Sequence, residues 1–127
     1  MANYDKYDPK AGGFRAALAA DWLEADIRTV IGVGLNASGQ IVKGAGVAGT
    51  GLVGVLVLTE VLKAGDIVDV MTNGEIVDFG GNPGTAYFAS TTGGAVNATS
   101  AVGKYKVGTT IKGDRLVVRF NTTPVAA

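Results

Sequence analysis

Four carboxylates, Asp66, Asp69, Glu75 and Asp78, fall close together in the chain. Acids so spaced serve general acid–base catalysis or hold calcium. Here they lack the D-x-D-x-D-G order of a calcium loop, and polar alternation along a half-solvated strand accounts for them. Two overlapping G-x-G-x-x-G matches follow one another, Gly44-Ala-Gly-Val-Ala-Gly49 and Gly49-Thr-Gly-Leu-Val-Gly54. A dinucleotide site needs a helix directly after that motif. Leu52–Thr59 reads as strand instead, so the glycines form a loop. Lys112 sits on a Lys-Gly-Asp turn and Lys104 precedes a strand. Neither has the Met or Ala flanks of a lysine that carries a prosthetic group. Ser38, Ser90 and Ser100 lie on turns with no base beside them, and a serine nucleophile needs one. The chain holds no histidine and no cysteine. Their absence removes the commonest general base, the soft metal ligands, the thiol nucleophile and every disulfide. The expectation is a non-enzyme with no cofactor and no metal.

The elements that carry these residues are short. The chain has 127 residues, of which 47% are hydrophobic, enough for one domain with its own core. Its 20 glycines are roughly twice the average share, and they punctuate β-branched runs from Ile31 onward. That pattern predicts a mainly β, single small domain. Strands are expected at Thr29–Leu35, Gln40–Lys43, Val55–Thr59, Ile67–Met71, Glu75–Phe79, Thr85–Ala89, Ala95–Asn97, Tyr105–Ile111 and Arg115–Asn121. Asn73-Gly74 between apolar runs reads as a hairpin turn. Before the strands, residues 1–13 read as an extended arm, because Pro9 disfavours helix at Asp8 and Gly12-Gly13 ends the segment. The alanine-rich stretch 14–28, with Leu18 and Trp22 at helical spacing, suits a short helical turn. The expected division is therefore an arm at 1–28, a β domain at 29–121 and a tail at 122–127.

Net charge is zero but unevenly spread: residues 1–78 hold ten acids and six bases, and residues 79–127 hold one acid and five bases. Two solvated regions of one surface are the favoured explanation; the functional one is complementary ends that let copies of a chain meet. Five bases with Tyr105 as the sole interleaved aromatic make a poor nucleic-acid footprint. No apolar run approaches the ~20 residues of a membrane-spanning helix. The polar, acidic start lacks the apolar stretch of a secretion signal, so synthesis in a cytoplasm is expected.

The order and spacing of several segments resemble head decoration proteins of long-tailed bacteriophages that infect actinobacteria. The segments are Asn3-Tyr-Asp-Lys-Tyr-Asp-Pro-Lys-Ala-Gly-Gly-Phe-Arg15 with Leu18-Ala-Ala-Asp-Trp22, then Gly54–Leu58 and Ala64–Val77, and finally Gly84–Ala89, Gly93–Val96 and Val107–Val118. The resemblance implies a small β-barrel or β-tulip-like fold, similar to the lambdoid decoration proteins, with an extended N-terminal arm. It implies a homotrimer on the exterior of the capsid that stabilises capsomer junctions against internal DNA pressure. The partners would be the major capsid protein and the chain itself, with no nucleic acid and no membrane. Arm residues Asn3, Tyr4, Tyr7, Pro9, Phe14, Arg15 and Trp22 are the expected capsid contacts. The alternative is a carbohydrate- or receptor-binding module on the virion, displaying Gly/Thr loops such as Thr91–Gly94.

Overall fold

The apolar runs between glycines become ten strands in a computed structural model that describes residues 12–46, 51–112 and 114–126. They are β1 (Gly13–Ala17), β2 (Ile31–Leu35), β3 (Ile41–Lys43), β4 (Gly54–Leu56), β5 (Ile67–Met71), β6 (Asn73–Ile76), β7 (Ala86–Ala89), β8 (Val96–Asn97), β9 (Tyr105–Ile111) and β10 (Arg115–Arg119). All pairings between them are antiparallel. One five-stranded sheet has the order β1-β5-β4-β2-β3, the other β6-β10-β9-β7-β8. The mainly β expectation holds.

The first sheet curls until its two edges meet. Leu18, just past β1, forms a parallel bridge with Ile41 on β3, and Ala19 N–H donates to Ile41 O at 2.9 Å. Ile31, Val33, Ile41, Leu56, Val68 and Val70 point into the closed space and are buried together with Leu18 and Trp22. Alternation explains the selection: along Ile67-Val-Asp-Val-Met71 only the valines are fully buried, as a strand with one wet face requires.

A second core fills the gap between this barrel and the other sheet. It contains Val30, Leu52, Val55, Ala89, Tyr105, Val107, Leu116 and Val118. β2 is therefore buried on both faces, with Ile31 and Val33 inside the barrel and its glycines outside. A Cβ at Gly32 would stand 2.8 Å from Ala89 Cβ, so only glycine lets the second sheet come this close. The seam is stitched by bridges Ile31–Ala95 and Gly44–Thr92. Each large aliphatic side chain buried here contributes roughly 1.5–3 kcal/mol.

Two expectations are corrected. The short helical turn expected within 14–28 is present but confined to a 3-10 turn at Glu24–Asp26, while Gly13–Ala17 is β1 rather than helix. Pairing of Phe14, Arg15 and Ala16 with Val70, Asp69 and Val68 outweighs the modest helix preference of alanine, because a tertiary partner is at hand. Gly13–Ala17 is thus part of the sheet, where the sequence placed it within an arm and a helical turn. Asn73-Gly74 is not a hairpin turn. The chain continues through it into β6 on the second sheet, where Asn73–Ile76 pair with β10. Thr72 marks the crossing, with its N–H donating to Gly12 O and its O accepting from Phe120 N–H, both at 2.9 Å.

Candidate functional site

β1 lies at one edge of its sheet, and among the described residues its side away from β5 is joined only at Leu18. Backbone groups along an edge strand are open to another chain. Residues 1–11 are attached directly to this edge. Of the seven residues the sequence singled out, Asn3, Tyr4, Tyr7 and Pro9 lie outside the described residues. Phe14 packs against the barrel core. Arg15 projects to solvent and pairs with Asp69 at 2.8 Å, their side chains 72% and 75% exposed. Such an exposed pair adds little stability and leaves the guanidinium available.

Trp22 is elsewhere. It is 2% exposed and packs in the barrel core, so it does not lie on the surface where a shell contact was expected. The sequence placed it on a helical stripe. In the fold an antiparallel bridge to Leu62 turns the indole inward. Its Nε1 has no hydrogen-bond partner among the described residues. Lys43 Nζ stands 4.9 Å from the ring centroid, a cation–π contact, and forms an ion pair with Asp26. The hydrogen bond from Lys43 holds the Asp26 carboxyl below its ordinary range, against a smaller upward push from burial.

The carboxylates grouped by sequence take different partners in the fold. Asp66 accepts from Lys63 N–H at 2.9 Å, Asp69 pairs with Arg15, and Glu75 pairs with Arg115 at 3.1 Å. Asp78 stands on the rim of a groove instead. Among the described residues no three histidine, cysteine or acidic side chains gather in a metal-binding group. Gly44 and Gly54, at the ends of the glycine-rich motif, border β3 and β4, with no helix in the described part between. That context does not fit a dinucleotide site. In the Thr91–Gly94 loop, residues 91–93 are exposed while the main chain is tied to the first sheet. Ala45 N–H donates to Thr91 O at 2.9 Å and Gly32 N–H to Gly94 O at 2.8 Å.

The groove that sequence reading missed has a volume of about 670 Å³ and runs between the two sheets beside β6. Val30, Val57, Met71, Ile76 and Phe79 give it an apolar floor, and Arg28, Glu75 and Asp78 stand on its rim. Arg28 and Asp78 both have left-handed backbones, at φ 59° and 54°. Non-glycine residues in that region are strained and concentrate at functional sites.

No family model matches the chain, and no curated protein matches it. A solved chain from Mycobacterium phage Patience superposes with a TM-score of 0.77 at 20% identity, over 98% of this chain and 97% of that one. The fold is one found in a phage protein. At this identity the likeness shows a shared fold.

Proposed function

We propose that the chain is a capsid decoration protein, a non-enzymatic trimer seated on the outside of a phage head. It bridges neighbouring capsomers and opposes the outward pressure of packaged DNA. The observation that carries this reading is the end-to-end fold likeness to a mycobacteriophage protein. It is joined by the open side of β1 and by the polar sequence that precedes it, which bears Tyr4 and Tyr7. An extended arm adds to an exposed strand of the major capsid protein through main-chain hydrogen bonds, and tyrosines supply contact area at small entropic cost. One such arm binds weakly. Three on a rigid trimer act at high effective concentration and hold firmly.

The test is a truncation. Because β1 starts at Gly13, removing residues 1–11 leaves the pairing with β5 whole. Heads lacking the protein are mixed with the full-length or truncated chain and the bound copies are counted after sedimentation. Full-length protein saturates the heads and the truncated form does not. Equal occupancy by both forms rejects the arm as the docking element.

A further inference from the structure

The outward face of the second sheet has no cover among the described residues. Leu116 and Val118 point into the core, so Arg115, Val117 and Arg119 between them face outward. Their cross-strand partners Ile111 and Thr109 share that face, as does the Phe88–Lys106 pair. Phe88, Ile111 and Val117 remain partly accessible, while Lys106, Arg115 and Arg119 are exposed. Glu75 is the acid on this face, and it is occupied by Arg115. The result is an apolar strip bordered by cations.

The opposite chemistry appears at the closed end of the barrel. The Trp22–Leu62 bridge places Leu23 and Val61 next to each other as the following cross-chain pair. They are 58% and 52% exposed, among the most exposed large apolar residues described. Each is followed or preceded by a glutamate, Glu24 and Glu60, both exposed. Neither forms an ion pair among the described residues. Asp21 beside them accepts from Ala64 N–H at 2.9 Å and is already engaged.

We infer that the barrel end of one copy, Leu23 and Val61 flanked by Glu24 and Glu60, docks on the outward face of the second sheet of another copy. Leu23 and Val61 cover the Phe88–Val117 strip, and the glutamates meet Lys106 and Arg119. Two different faces of one chain meet, a head-to-tail contact that makes a ring when its rotation closes, as the proposed trimer requires, and an open filament when it does not; a self-complementary patch would give a two-fold dimer instead. The inference rests on the trimer in the proposed function and names the surfaces that build it. Charge complementarity also sets the register of such a contact and rejects wrong pairings.

The experiment is a charge swap in the full chain, read by light scattering across protein and salt concentration. Circular dichroism first checks that every variant is folded. Wild type self-associates, less so at high salt. Glu24→Lys with Glu60→Lys weakens association about tenfold or more, and Lys106→Glu with Arg119→Glu does the same. The chain carrying all four changes regains association to within about threefold of wild type. A wild type that stays monomeric at every concentration, or a fourfold variant no better than either pair, overturns the interface. The same chains are then offered to bare heads. Restored self-association with no head binding leaves this interface standing and removes the decoration reading. Head binding by a chain that never self-associates does the reverse.

Discussion

Asp26 and Lys43 hold the 3-10 turn over Trp22, and their pair gives a pH-dependent contribution to stability. The Asp26 carboxyl is held below 3.8 by the Lys43 ammonium, so ionised Asp26 favours the folded chain. That contribution is complete above the unfolded value of about 4 and fades as pH falls through the lowered folded value. Asp26→Asn should cost about 1 kcal/mol at pH 7, discounted for partial exposure. The difference from wild type should close towards pH 2, as denaturant titrations at the two pH values will report. A second residue-level prediction concerns glycine. Gly94 has φ 74°, and a Cβ there would lie 2.0 Å from Gly32 O across the sheet seam. Gly94→Ala should cost about 3 kcal/mol or more. Gly39, at φ 77° with nothing within 4 Å, should lose only about 1 kcal/mol on the same change. Thermal melts of the two variants separate steric clash from backbone strain.

At the level of elements, the strands with clean alternation were legible in the sequence. Ile67–Met71 and Tyr105–Ile111 lie where their apolar spacing put them, because each has one face on a core and one towards water. The Asn36–Gly39 hairpin was legible for a local reason: Asn36 Oδ1 accepts from Ser38 and Gln40 N–H, both at 2.9 Å. Where pairing is non-local, the sequence misled. Nothing near Phe14 reveals that β5, more than fifty residues on, will hold it in a strand, and nothing at Asn73-Gly74 reveals that β10 will claim β6. The site divided in the same way. Arg15 was found as a surface residue, whereas Trp22 was mistaken for a contact because burial at a barrel end follows from closure of the whole sheet. Trp22→Ala should therefore act on stability, costing about 4 kcal/mol. Arg15→Ala should leave the melt nearly unchanged and lower head occupancy. Paired melting and sedimentation assays distinguish the two effects.

For the whole molecule, the barrel and the second sheet share a core and present distinct surfaces: the β1 edge, an acidic apolar end and a cationic sheet face. The uneven charge of the two chain halves becomes spatial in this arrangement, since Lys106, Arg115 and Arg119 all stand on the second sheet. In the proposed trimer, attachment through three arms would make binding steep in concentration and slow to reverse once seated. Adhesion of this kind predicts a mechanical benefit, so decorated heads should keep their DNA at temperatures where bare heads leak. Nuclease accessibility during heating reads that retention. The most direct measurement is the count of copies bound to bare heads by the full chain and by the chain without residues 1–11, each shown to be folded. Saturation by the first, with at least tenfold weaker binding by the second, is the expected result. No binding by the folded full chain contradicts adhesion to the head as its role.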